Sequence, residues 1–244
     1  MNLILSIIKI AFLLGFLIFI HEGGHFLVAK ICKVKVNQFA IGFGPQIFCY
    51  KGKETLYALR LFPLGGFVSL EGENEDSEDI RAFNKASRIK KISIVVAGAL
   101  VNIIFGLIVY FIVALIITSN ISTTLASLKE FIFSFLESFK LLFSGKVGLN
   151  DFTGPVGISG IVYRTSSFLE YFYVMSIISI SLGVSNLLPV PALDGGKIVI
   201  LIIEAIRKKE LKKETEIKIQ LTGFLILITL AILITYNDIL RIIK

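Results

Sequence analysis

Long apolar runs alternate with short polar stretches along the chain. Four runs, residues 3–28, 92–117, 171–193 and 219–236, are long enough to cross about 30 Å of hydrocarbon, which takes roughly 20 helical residues. Between the first two, residues 40–72 change pattern. Apolar positions there alternate with Gly42, Gly44 and Gly52, and Lys51-Gly52-Lys53 separates two β-prone runs, which predicts a hairpin. Its apolar content places it against the membrane, where bare strand edges need a protein neighbour. Two further segments are amphipathic. One is 125–143, inside a polar-rich stretch 118–170, and the other is 198–213, whose apolar half ends in Arg207-Lys208-Lys209. Both read as helices lying at a membrane interface. The predicted architecture is an all-α polytopic membrane protein, one membrane-embedded domain over residues 1–244. It has four transmembrane helices, a membrane-associated β-hairpin after the first, and interfacial amphipathic helices.

Composition narrows the classes. Of 244 residues, 55% are hydrophobic and 18% charged, against about 25% charged in ordinary soluble domains. That argues against a soluble enzyme or a disordered chain. The net charge of +7 does not imply a nucleic-acid partner, because the charges cluster between apolar segments. Cys32 and Cys49 are too few for a disulfide framework. The first apolar run follows Lys9 and ends in His21-Glu22 rather than at a small-residue cleavage site, so it reads as a retained span and not a signal peptide. Eighteen of the 25 Lys and Arg fall in Lys30–Lys91 and Lys197–Lys218. Cytosolic loops carry the positive excess, so these two loops are expected inside and both termini outside. Lys9 is expected to reach the outer surface with its ammonium.

Ionisable groups inside apolar spans are costly and usually functional. His21-Glu22-Gly23-Gly24-His25 is an HExxH sequence on a predicted helix. Residues i and i+4 share a helix face, so both imidazoles reach one ion, and the glutamate between them is placed as a general base. The chain has only these two histidines. A third ligand is expected from Asp194, where Pro189, Pro191, Gly195 and Gly196 interrupt the helix and turn the carboxylate inward. Depth agrees. Eighteen helical residues from Leu3 to His21 rise roughly 27 Å, and Tyr171 to Asp194 rises at most roughly 34 Å. Both arrive near the same edge of the hydrocarbon. Two His and one carboxylate, with the fourth position open, form a catalytic zinc set, one ion per chain. Two rival readings stand beside it. One reads Asp194 instead as a helix cap beside Gly195. Cys32 is a rival ligand, but about 10 Å of helix separates it from His25, so it reads as packing.

The sequence resembles the site-2 protease family of intramembrane zinc metalloproteases over most of its length. His21 to Lys30 resembles that family's HExGHxxxA motif followed by a basic residue. Gly42-Phe43-Gly44-Pro45 and Pro63-Leu64-Gly65-Gly66-Phe67-Val68 resemble its membrane-associated hairpin. Gly154-Pro155-Val156-Gly157 resembles the lead into its third span, and Asn186 to Gly196 resembles NxxPxPxLDGG. The resemblance implies a bacterial cell-membrane protease with its site near the cytosolic face. His21, His25 and Asp194 would be its zinc ligands, Glu22 the base, and Asn186, Gly65 and Gly66 substrate contacts. Its substrates would be transmembrane helices of other proteins, such as anti-sigma factors or signal-peptide remnants, and its partners would include the bilayer but no nucleic acid. Departures are visible. Ala97-Gly98-Ala99 lacks the proline often found there, Ser181 replaces an expected Asn, and Lys197 stands where His or Arg is common. Residues 118–170 are too short for a PDZ domain. A zinc-binding membrane protein without hydrolysis, or an inactive protease-like scaffold, remain as other classes. The complete His-Glu-His-Asp set weighs against both.

Overall fold

In the computed structural model, residues 3–146, 148 and 151–243 are described. Of the described residues, 68% are helical. Helix α1 covers Leu3–Ile31, strand β1 Val36–Lys51 and strand β2 Leu56–Leu70. Then come α2 (Arg88–Thr118), α3 (Ile121–Phe143), α4 (Pro155–Arg164), α5 (Phe168–Asn186), α6 (Asp194–Arg207) and α7 (Lys213–Ile243). Helices α1, α2, α5 and α7 are long and apolar enough to cross a membrane, in the places the hydrophobic runs predict.

The elements differ from expectation mainly at their ends. The first, second and fourth spans extend a few residues further, because helices continue past the apolar core into polar flanks. The third is shorter: α5 stops at Asn186 rather than at residue 193. Pro189 and Pro191 cannot donate a backbone hydrogen bond, and Ala192 adopts a φ of +74°. Residues 187–193 therefore form tight turns, in which the Val190 N–H donates to the Leu188 carbonyl at 2.7 Å. The second amphipathic element begins four residues earlier than expected, at Asp194, and ends at Arg207. Within 118–170 the structure adds α4, which the apolar pattern did not reveal.

The chain forms two compact units. One comprises residues 11–103 and 181–224 and contains both strands and α6. Its core gathers Ala29, Val36, Leu70, Phe83, Ile94 and Leu201, and Cys32 packs against it. The sheet spans residues 36–70 rather than 40–72. Residues 36–41 pair with Leu70 back to Gly66 and also with Leu56 to Leu59, while residues 46–51 pair with the 56–60 stretch. One segment meets two partners because both strands bend sharply at glycines, Gly42 with φ +86° and Gly65 with φ +118°, values that favour a residue without Cβ. Glu54, in the turn between the strands, pairs with Lys30 at the end of α1 and with Arg81 at 2.8 Å. Those contacts dock the sheet onto the helix that carries the HExxH sequence.

The other unit takes the described part of residues 1–10, 104–180 and 225–244. Here Asn120 Oδ1 accepts the Ser122 and Thr123 N–H groups at 2.9 and 3.2 Å, capping α3. Phe131 of α3 stacks on Tyr110 with centroids 4.1 Å apart. Lys9, expected at the outer surface, donates to the Thr165 carbonyl at 3.4 Å, where the C-terminus of α4 offers unpaired carbonyls to a cation. Asp238 of α7 is 2% exposed, and its Oδ2 accepts the Gly157 N–H at 2.8 Å.

Candidate metal centre

Helical spacing places His21 and His25 one turn apart on α1, with ring centroids 4.8 Å from each other. Their Nε2 atoms are 3.2 Å apart. Asp194, the first residue of α6, brings Oδ2 to 3.3 Å from His21 Nε2 and 3.4 Å from His25 Nε2. The three atoms form a nearly equilateral triangle. Tetrahedral zinc ligands at about 2.0–2.1 Å from the metal stand roughly 3.3 Å from one another, so the triangle has the dimensions of three corners of such a site.

The hydrogen bonding also fits a metal. His25 Nδ1 lies 2.8 Å from the Ile94 carbonyl oxygen. Because a carbonyl only accepts, Nδ1 carries the proton and Nε2 presents a lone pair, the usual arrangement of a ligating imidazole. Asp194 Oδ2 is buried, with no hydrogen-bond donor among the described residues. The Asp194 oxygen, the His25 lone pair and His21 Nε2 meet at one point, a donor set that a cation can bind. The helix-cap reading finds no support, because Leu193 occupies the N-cap of α6 and no side chain caps that helix. Cys32 is not in the ligand cluster.

Close backbone contacts hold these groups. A Cβ on Gly24 would stand 2.7 Å from the Ala97 carbonyl oxygen, and one on Gly98 would stand 2.3 Å from His25 Nε2. Small residues let helix backbones approach within a membrane, and here they let α2 press directly on His25. A Cβ on Gly195 would lie 2.2 Å from the Leu188 carbonyl oxygen, so the glycine lets the 187–193 turns fold onto the start of α6. A Cβ on Gly66 would lie 2.9 Å from Glu22 Cγ. The strand therefore backs the glutamate.

A cavity of about 290 Å³ opens over the triangle, lined by His21, Glu22, His25, Gly66, Glu73, Asn186, Asp194 and Lys197 among others. Of the expected site residues, all but Gly65 border it. Gly65 faces Phe43, whose ring would lie 2.1 Å from a Cβ there, so its part is to bend the strand. Sequence reasoning did not assign Gly98, the Ile94 carbonyl, Glu73 or Lys197 to the site. The departure at Ala97-Gly98-Ala99 was the available signal for the first.

The chain matches peptidase family M50 over residues 9–230. A protein of Clostridium acetobutylicum, provisionally named a zinc metalloprotease, is 28% identical over 98% of this chain and 97% of its own length. The regulator of sigma-W protease RasP of Bacillus subtilis is 22% identical over 97% of this chain and 98% of its own. The zinc metalloprotease RasP of Geobacillus kaustophilus is 22% identical over 96% and 97%. The first alignment runs over 333 positions and the second over 415, so each of these relatives carries residues with no counterpart among the 244 here. No PDZ domain is evident among the described residues. With a match over most of its length, the chain belongs to peptidase family M50, the site-2 protease family of zinc metalloproteases.

Proposed function

We propose that the chain is an intramembrane endopeptidase, with one zinc held by His21, His25 and Asp194 and with Glu22 as its general base. The observation that carries this reading is the ligand triangle with Glu22 lining the same cavity. Bound there, zinc supplies Lewis acidity, which acidifies a water and polarises the scissile carbonyl. The Glu22 carboxylate accepts a proton from the attacking water and returns it to the leaving amide nitrogen. His25, held by the Ile94 carbonyl, keeps its lone pair directed at the centre. Water adds across the C–N bond, giving one carboxylate and one amine.

A helical substrate hides its carbonyls and must be held extended at the cut. Residues 66–70 are suited to this. They pair with residues 36–41 on one side, no described strand pairs with their other side, and Phe67 and Val68 line the cavity. An unwound segment adds there as a further strand, with Asn186 on the cavity wall. The substrates are transmembrane segments of other membrane proteins. In this reading both termini lie outside, the site opens near the cytosolic face of the cell membrane, and α3 and α6 lie at the interfaces.

The test is Glu22→Gln. It is expected to retain zinc and to lose cleavage of a transmembrane peptide by about 10²–10⁴-fold, because an amide cannot take the proton. Unchanged cleavage at full zinc occupancy would remove Glu22 from this role.

A further inference from the structure

The cavity over the triangle has a neighbour of about 410 Å³, lined by Ser69, Asn74, Pro191 and Gln220 among others. Phe67, Val68, Glu73, Ala192, Asp194 and Lys197 line both. The two are parts of one groove, whose walls are the end of β2 and the segment from Pro191 to Lys197. No metal ligand bridges those walls, since the ligands come from α1 and α6. What does bridge them is an ion pair between Lys197 and Glu73.

Both partners are well anchored. Lys197 is three residues beyond Asp194 on α6, so it shares that residue's helix face, and its ammonium lies 5.0 Å from the centre of the Phe83 ring. Glu73 Oε2 accepts the Leu70 N–H at 3.3 Å at the end of β2, and its carbonyl accepts from Lys213 Nζ at 2.8 Å. The two side chains are 18% and 19% exposed. A pair this far out of water adds little net stability, because desolvation offsets the attraction. What it fixes is a distance. Among the described residues, Lys197 is also the one Lys or Arg lining either cavity, which it shares with the carboxylates of Glu73, Asp194 and, in the smaller, Glu22. Its pairing with Glu73 decides where that cation stands.

We propose that Lys197 and Glu73 are positioning residues that set the spacing between strand 66–70 and the start of α6, and so the fit of an extended peptide in the groove. This rests on the peptidase reading. Peptide binding is therefore measured apart from chemistry, in the Glu22→Gln background, with a fluorescent transmembrane peptide in detergent, beside zinc content and thermal unfolding. Lys197→Met and Glu73→Gln are each expected to weaken binding about tenfold with zinc and unfolding unchanged. The double variant is expected to lose no more than either single. Lys197→Arg, which keeps charge and reach, is expected to bind within about twofold of the parent. Glu73→Gln still accepts the Leu70 N–H and nearly keeps the side-chain volume, so it reports even where Lys197→Met fails to fold. Unchanged binding in Glu73→Gln, or losses that simply add in the double variant, would overturn the proposal. Cleavage by the chain without the Glu22 change, run in parallel, shows separately whether the peptidase reading stands.

Discussion

Asp194 and Asp238 are the same side chain, each withdrawn from water in a largely apolar chain, and their surroundings treat them oppositely. Asp238, 2% exposed, receives the Gly157 N–H at 2.8 Å near the N-terminus of α4. That helix has no side-chain cap of its own and begins with Gly154 and Pro155, so a carboxylate from α7 meets its exposed N–H groups and the positive end of its dipole. Asp194 starts its own helix, yet Oδ2 points away from the backbone toward two imidazoles and has no donor. One carboxylate is satisfied by the fold. The other keeps an oxygen with no donor among the described residues, and that difference separates a structural acid from a candidate metal ligand more sharply than burial alone.

Exchanging carboxylate for amide should break the likeness. Asp194→Asn keeps the volume but loses the anionic charge, and changes one step further from a metal already cost about 10–100-fold in affinity or activity. It is expected to lose at least that much cleavage, with zinc per protein falling in step while unfolding in detergent stays cooperative. Near-normal zinc and cleavage in this variant would show that something else closes the site. Gly98→Ala comes next. Its methyl would stand against His25 Nε2, and displacing a reacting group by about 1 Å costs up to about 10²-fold. Reduced zinc occupancy in a folded protein is expected; normal occupancy and rate would show that α2 yields easily.

On the other side of the comparison, Asp238→Ala leaves a buried N–H without its acceptor, a loss of about 1–3 kcal/mol. Thermal unfolding should move accordingly, while zinc per folded chain is unchanged. The smallest effect belongs to Asp238→Asn, whose amide oxygen still accepts the Gly157 N–H. Its unfolding is expected within about 1 kcal/mol of the parent, where a neutral acceptor is nearly as good. If Asp238→Asn depleted zinc as strongly as Asp194→Asn, the distinction between the two aspartates would collapse.

Much of the candidate site was legible because its signals are local. The i, i+4 spacing of His21 and His25 needs only helical geometry, and the four spans follow from apolar run length. Asp194 was legible because its prolines and glycines interrupt a helix at a matching depth. The end of α5 was misplaced, since residues 187–193 are as apolar as the helix before them and only the backbone geometry separates the two. Helix α4 was missed because ten residues with two internal glycines carry little amphipathic pattern. Contacts such as Gly98 with His25, or Glu73 with Lys197, join positions 73 and 124 residues apart. No periodicity encodes such a meeting. The resemblance grouped Gly65 with Gly66, yet a strand turns successive residues to opposite faces, and only Gly66 meets Glu22.

The distance along the chain between His25 and Asp194, 169 residues, also sets a clock. Ribosomes add about 5–20 residues per second, so the helix bearing the HExxH sequence is made on the order of ten to thirty seconds before its third partner. During that interval the nascent chain holds two imidazoles and a glutamate but no anionic ligand. A protease whose proposed substrates are membrane helices emerges beside many of them, its own included. In the proposed reading, the late position of Asp194 leaves the unfinished chain without a complete metal set until α1, α2 and α5 have been made.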